Sequence, residues 1–344
     1  MVPAATANAA GSLIVPFTVL MLAASLTNND RARLPGLVLG FIAAAMVIGV
    51  LQFSGARLNN PFVNDTLGQV SGTFANRNHL ALFLSFGCLL APIWAFPDGR
   101  EPRWRIPVAL GLVLAFAMTI LATGSRTGLV LGVIAICTGL MLVRGNMRRA
   151  LRRYPRWAAP ALIAGILALI AIFILLSIAA DRAVSIDRAL ALDTGQDLRR
   201  RALPTVVEMV KTYFPAGSGL GGFDPVYRIH EPFDLLALNY FNHAHNDFLE
   251  VVLDAGLPGL LLLAGAIIWW IYASVKVWRA GAGAGNAMAK TGSMMLLLVA
   301  IASIFDYPAR TPMIMAMTAL AGMWLNGAVM GRREAALPRS DRHL

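Results

Sequence analysis

Nine consecutive residues, Asn242-His243-Ala244-His245-Asn246-Asp247-Phe248-Leu249-Glu250, carry two histidines, two asparagines and two acids, and a long apolar run follows from Leu257. Histidine is the side chain whose charge changes near neutral pH, so a neutral imidazole here can take a proton from a weak nucleophile such as a hydroxyl. His245 shares a helical face with Leu249 and Val252. It can serve as that base or pack as a hydrogen-bonded histidine. His243, Asp247, Glu250 and Asp254 fall on a second stripe at helical spacing. A cation could sit there, although no third histidine or cysteine ligand accompanies them.

Two arginine groups are suited to phosphate. Arg126 lies in Ala122-Thr123-Gly124-Ser125-Arg126-Thr127-Gly128, a short turn between apolar runs whose small neighbours leave room for a ligand. Its guanidinium offers a planar fork to phosphate oxygens; the bland alternative is an arginine snorkelling to the interface. Asp197-Leu198-Arg199-Arg200-Arg201 is the second group, either a second clamp or a solvated charge run. Arg199 is the first choice within it and Arg201 the second. Gly217-Ser218-Gly219-Leu220-Gly221-Gly222 formally matches a dinucleotide fingerprint, but no strand and βαβ unit flank it; it reads as a tight connection or an anion nest. In Gly72-Thr73-Phe74-Ala75-Asn76-Arg77-Asn78-His79, the asparagines Asn76 and Asn78 can cap a helix. Arg77 and His79 could line a cavity. The candidate substrate-binding residues are thus Arg200, Arg201, Arg228, His243, Asn246, Asp247, Arg77, Asn78 and His79.

The elements that must position these groups are membrane helices. The chain has 344 residues, 58% of them hydrophobic and 14% charged. Soluble domains carry about 25% charged residues. Apolar runs near 11–26, 34–54, 79–96, 106–123, 127–143, 158–180, 257–275, 292–305 and 312–330 give nine candidate spans. The net charge of +11 comes from arginines and lysines concentrated in alternate loops, six arginines in 144–156 alone. That alternation sets those loops in the cytoplasm and 55–78, 124–126, 181–256 and 306–311 outside. It is a topology signal and not a nucleic-acid surface, since no nucleic-acid motif accompanies it. The segment 181–256, with eleven acids against seven basic residues, is the only outer loop large enough to form a small domain. A helix is expected from about Gln196 to Phe214. A second starts near Asn246 and is broken at Gly256 and Pro258. Cys88 and Cys137 sit in apolar runs and read as core residues. The predicted fold is an all-α polytopic membrane protein: helices 1–6 over 1–180, the loop 181–256, helices 7–9 over 257–330 and a basic cytoplasmic tail, 331–344. An odd helix count with an outer N-terminus points to leading helices that a longer relative would carry.

These residues together resemble the O-antigen ligases and O-antigen polymerases of bacterial envelopes. His245-Asn246 followed after nine residues by Gly256-Leu257-Pro258-Gly259 is similar to that family's His-Asn-x9-Gly-x-x-Gly pattern. Ser125-Arg126, the Gly72–His79 segment and the stretch Arg199 to Phe223 resemble further family motifs in the same order. Asp306-Tyr307-Pro308-Ala309-Arg310-Thr311-Pro312 looks like a late motif of some branches. The family often carries Trp after the second arginine, where this chain has Leu203 and Pro204. The resemblance implies a metal-independent glycosyltransferase with a GT-C-like helical bundle in the bacterial inner membrane, its active face periplasmic. The donor would be a glycan on undecaprenyl diphosphate; the acceptor, a lipid A-core or a polysaccharide. Arg126 and Arg199 would bind the diphosphate and His245 would activate the acceptor. A transporter or flippase for a lipid-linked saccharide is the alternative. It would place its ionisable groups near the bilayer midplane rather than in outer loops.

Overall fold

The computed structural model describes residues 3–55, 70–96, 104–152, 155, 157, 194–236, 241–280 and 284–336. Every regular element among them is helical, and no strand occurs among the described residues. The chain divides into two compact units, Thr27–Ala191 and Met1–Leu26 with Leu192–Leu344.

The Thr27–Ala191 unit holds α3 (Asn28–Phe53), α4 (Arg77–Ala95), α5 (Arg105–Thr123) and α6 (Arg126–Leu151). Helix α4 is its centre: almost every residue from His79 to Ala95 is buried, and α3, α5 and α6 pack around it. Buried hydroxyls on these helices return their protons to their own helix, Ser85 to the carbonyl of Ala81 and Thr119 to that of Ala115, both at 2.8 Å. In hydrocarbon no water could satisfy them otherwise. Cys88 is buried in α4 as expected, but Cys137 is exposed on the outward face of α6 and is not a core residue.

The other unit holds α1 (Pro3–Ser12), α2 (Ile14–Ser25), α7 (Thr194–Tyr213), α8 (Phe223–His230), α9 (Asp247–Arg279), α10 (Ala284–Phe305) and α11 (Pro312–Ala336). Helices α9, α10 and α11 pack together, and α2 lies against α11. The outward side of α9 presents Leu261, Leu262 and Ile268, as a lipid-facing helix must. Ser293 ties α10 to α9: its carbonyl accepts from the Trp270 indole at 3.1 Å, and its hydroxyl donates to Ser274 at 2.8 Å. Over the start of α9, helices α7 and α8 and the 3-10 turn Phe233–Leu235 enclose a separate apolar core of Ala202, Val206, Met209, Phe223, Tyr227 and Leu253.

Seven helices among the described residues are long and apolar enough to cross a membrane: Thr6–Ser25, Asn29–Phe53, Arg77–Ala95, Arg105–Thr123, Arg126–Ala150, Asp247–Arg279 and Asn286–Phe305. The chain is a multi-pass membrane protein. Of the other two expected spans, 158–180 lies outside the described residues, and 312–330 is helical within α11 but is not among the seven. The first span begins upstream of the expected 11–26, because α1 continues the run with a join at Leu13. The tail expected over 331–344 is helical to Ala336, and 337–344 lies outside the described residues. So do residues 181–193 of the expected outer loop.

Candidate functional site

The histidine-rich segment forms the lead into α9. Asn246 is the N-cap, its side-chain oxygen accepting from the Leu249 amide at 3.0 Å. The same side chain donates to the carbonyl of Ile304 at 3.1 Å, which anchors the cap to the end of α10. Glu250, fully buried one turn into the helix, reaches back with both oxygens. One accepts from the Ala244 amide at 2.8 Å and the other from Nδ1 of His243 at 2.7 Å. Between these fixed points His245 adopts the left-handed region, φ 49°, alone among the described residues other than glycine. Such a conformation costs about 1–3 kcal/mol for a side-chain-bearing residue and persists where neighbours over-determine it.

Nδ1 of His245 lies 3.0 Å from Oδ1 of Asp306, the last residue before the turn that leads to α11. A carboxylate at that nitrogen fixes the tautomer with the proton on Nδ1, which leaves Nε2 as the basic nitrogen. The imidazole packs between Phe241 and Tyr307, each with its ring centroid 5.0 Å away. Burial is the main cause that pulls the His245 pKa below its ordinary value; nearby Arg199 and His243 add to it and the Asp306 hydrogen bond opposes it. The ring is therefore neutral at pH 7 and able to accept a proton.

Asp306 has a second charged neighbour. Its Oδ2 stands 3.7 Å from Nη1 of Arg199. The helical stripe of α7 explains why this arginine of the three points there. Leu198, Ala202, Val206 and Met209 face the apolar core, so Arg199 falls on the flank of that stripe. Arg200 is exposed, and Arg201 turns to Asp234 at 2.9 Å. Arg228 pairs with Asp224, also at 2.9 Å.

The acidic stripe is gathered by a residue outside the opening knot. Arg310 stands 3.3 Å from Glu250, 3.3 Å from Asp254 and 3.7 Å from Asp247. Asp247 also accepts from the Ser303 hydroxyl at 2.8 Å and the Ala309 amide at 3.0 Å. The position a cation would take among these carboxylates is thus held by a guanidinium. Asp254 in turn accepts from the amide of Gly221 at 3.3 Å.

That last contact belongs to a backbone joint. Gly256, at φ 57° and ψ −138°, breaks the helical path inside α9. The Leu257 amide, diverted from the Leu253 carbonyl, donates to Pro215 at 2.8 Å, and Pro258 has no amide to offer Asp254. The two freed carbonyls accept instead from Ser218 at 2.7 Å and Gly219 at 3.0 Å. Gly217, at φ 83°, permits this approach, since a Cβ there would stand 2.6 Å from the Asp254 oxygen. The glycine run is the tight connection expected, and it docks into the expected helix break. Tyr227 is buried beside this joint, its phenol pushed up to about 12 by burial and then by Glu231 and Asp234, so it stays protonated.

In the Thr27–Ala191 unit, Arg77 and Arg126 are the first residues of α4 and α6. Asn76 caps α4 through the Asn78 amide at 2.8 Å, and Ser125 caps α6 through the Gly128 amide at 2.9 Å. The Ser125 hydroxyl donates to Asn78 at 2.7 Å, which ties the two N-termini together. Two helix N-termini, each opening on an arginine, favour an anion at this end. His79 is buried and packs edge-on against Phe74.

The stretch 110–264, from α5 into the first part of α9, matches the O-Antigen ligase family. The chain is also 26% identical, over 265 residues, to the exopolysaccharide production protein ExoQ of Rhizobium meliloti (strain 1021). The stretch 110–264 of the chain is therefore similar to the O-antigen ligase family. The aligned region covers 75% of this chain and 58% of that relative's length. The matched stretch includes Arg126, Arg199, Arg200, Arg201, Arg228, His243, His245, Asn246 and Asp247, and leaves out Arg77, Asn78, His79, Asp306 and Arg310. Asp306 and Arg310 are the residues that sequence reasoning did not place in the site. The signal was present in the Asp306–Pro312 segment, where an acid and an arginine stand together just beyond an apolar helix.

Proposed function

We propose that this chain is a glycosyltransferase of the O-antigen ligase kind, which moves a glycan from a polyprenyl diphosphate, of the undecaprenyl type, to an acceptor hydroxyl at the outer face of a bacterial inner membrane. The observation that carries this reading is the buried His245–Asp306 pair on a strained, over-determined backbone. Nε2 of His245 takes the acceptor hydroxyl proton as that oxygen attacks the anomeric carbon. The bond from that carbon to the diphosphate oxygen breaks, and Asp306 stabilises the imidazolium formed. The departing lipid diphosphate gains negative charge, which Arg199 and Arg126 are proposed to balance. The chemistry proposed here needs no divalent metal, because arginines meet the phosphate charge and Arg310 already neutralises the acidic stripe.

The relative is named for exopolysaccharide production, which favours a growing polysaccharide over a lipid A-core as acceptor. The test is purified chain in lipid vesicles with an undecaprenyl-diphosphate-linked oligosaccharide and either acceptor. The acceptor should gain the mass of the glycan with lipid diphosphate released, with and without a chelator. Passage of the intact lipid-linked saccharide between leaflets, with no bond broken, would establish the transporter reading instead.

A further inference from the structure

Asp306 is a buried carboxylate that meets His245 and Arg199 on opposite oxygens. Oδ1 accepts from His245 at 3.0 Å and from the Tyr307 amide at 3.0 Å, while Oδ2 faces Arg199 at 3.7 Å. The two contacts differ in kind. The His245 contact is a hydrogen bond. The Arg199 contact is longer than one, so it is held by charge alone. The Asp306 side chain is 4% exposed and cannot follow a ligand, whereas that of Arg199 is 27% exposed and sits on a long stem. Asp306 is the ion-pair partner of Arg199 among the described residues. Arg200 and Arg201, turned outward or paired with Asp234, take no part in this contact.

We infer that Arg199 is a donor-sensing residue: without donor it rests on Asp306, and the donor's diphosphate draws it away, taking that cation from the carboxylate that His245 shares. This rests on the proposed diphosphate donor. A diphosphate offers a guanidinium more charge and more acceptor oxygens than one carboxylate already engaged by an imidazole and an amide. Among the described residues the groups facing His245 are Asp306, Arg199 and His243, with the uncharged rings of Phe241 and Tyr307; Glu250 and Arg310 lie beyond His243. Removing the Arg199 cation from this set and seating an anion nearby both favour the imidazolium. His245 is then a weak base in the empty enzyme and a stronger one once donor is bound. The consequence is order: water or acceptor reaching the empty enzyme is not activated, and the base matures only when a glycan is present to receive the nucleophile.

The experiment follows the His245 ring by NMR of ¹⁵N-histidine-labelled full chain in nanodiscs, assigned by difference with His245→Gln. The probe is undecaprenyl diphosphate. Without probe, Arg199→Met should raise the pH at which His245 titrates by about one unit, the scale of a cation at this range in a partly buried site. Arg199→Lys should leave it near wild type, because charge alone holds the contact. The His243 signal reports that each variant is folded. Adding probe to wild type should raise the His245 titration by a similar amount, and adding it to Arg199→Met should raise it less. An unchanged titration in folded Arg199→Met overturns the sharing of Asp306, whether or not the probe binds. Binding of the probe to wild type with no shift overturns the exchange while sparing the donor reading. Failure of the probe to bind wild type overturns the donor reading and the sensing role together, and the ion pair itself is still decided by the variant.

Discussion

Replacing Asp306 with Asn tests the proposal that His245 acts as a base with Asp306 behind it. The substitution keeps size and one acceptor oxygen but removes a charge buried to 3% exposure, 3.0 Å from Nδ1. Two losses follow. An amide no longer selects the tautomer with the proton on Nδ1, and the imidazolium formed in the reaction loses its counter-ion. For unit charges about 4 Å apart at an effective dielectric of about 20, the interaction is about 4 kcal/mol, a factor of about 10³ if fully lost. General-base catalysis contributes about 10²–10⁴, so the base itself sets the ceiling. We expect kcat to fall about 10²–10³-fold with KM for donor little changed. The assay is steady-state glycan transfer in nanodiscs across pH. The wild-type acid limb of kcat/KM, which reports the free enzyme, should lie below the ordinary histidine value of about 6.5, because burial and Arg199 disfavour the charged ring. In Asp306→Asn the residual activity should have its acid limb at still lower pH, since the group that favours protonation is gone. Asp306→Asn combined with His245→Ala should be no slower than His245→Ala alone. Near-normal kcat in Asp306→Asn, an acid limb that stays in place, or additive losses in the double variant would each refute the pairing.

Arg126→Lys should lose most transfer activity although charge is retained, since an ammonium offers no planar fork; wild-type kinetics in folded Arg126→Lys would remove Arg126 from the donor site. His243→Ala should be much milder than His245→Ala, and the reverse ranking per folded molecule would reassign the base. Arg310→Met leaves Asp247, Glu250 and Asp254 without their shared counter-charge, so stability should drop by about 3–5 kcal/mol, read as a lower Tm in detergent; an unchanged Tm would show that the carboxylates are not held as charges. A single cysteine at Ser218 should react with an impermeant reagent in intact cells while one at Asn146 is protected, and the opposite pattern would move the His245 end of the chain to the cytoplasmic side.

Local features of the site were legible in the sequence because local rules determine them. Asn246 caps α9 as an asparagine before an apolar helix should. Gly256 and Pro258 break that helix because one takes positive φ and the other lacks an amide. Helix α7 runs over Thr194–Tyr213 where a helix was expected from about Gln196 to Phe214. The placement of Arg199 was legible in part: the stripe Leu198, Ala202, Val206 and Met209 fixes which arginine flanks the core, but no periodicity names its partner. Asp306 lies 61 positions beyond His245, and the two meet only because α9 and α10 run side by side and return the chain to the same end. Arg310 was hidden for the same reason, which is why His243, Asp247, Glu250 and Asp254 could be weighed as cation ligands before the guanidinium among them was visible.

The turn between α10 and α11 therefore does two electrostatic jobs within five residues. Asp306 supplies the anion at Nδ1 of His245, and Arg310 supplies the cation that neutralises the first two turns of α9. Tyr307 lies between them, its ring 4.2 Å from His243 and 5.0 Å from His245. The jobs depend on each other. Glu250 can hold the Ala244 amide and the His243 ring only if its charge is met, and Arg310 meets it. Those bonds, with the Asn246 cap and its tie to Ile304, brace the backbone on either side of the left-handed His245. Loss of Arg310 would thus relax the very conformation that brings Nδ1 to Asp306. The His245 ring is thus set by contacts far from its own segment, so the residues of 304–310 bear on its protonation as directly as its neighbours in sequence do.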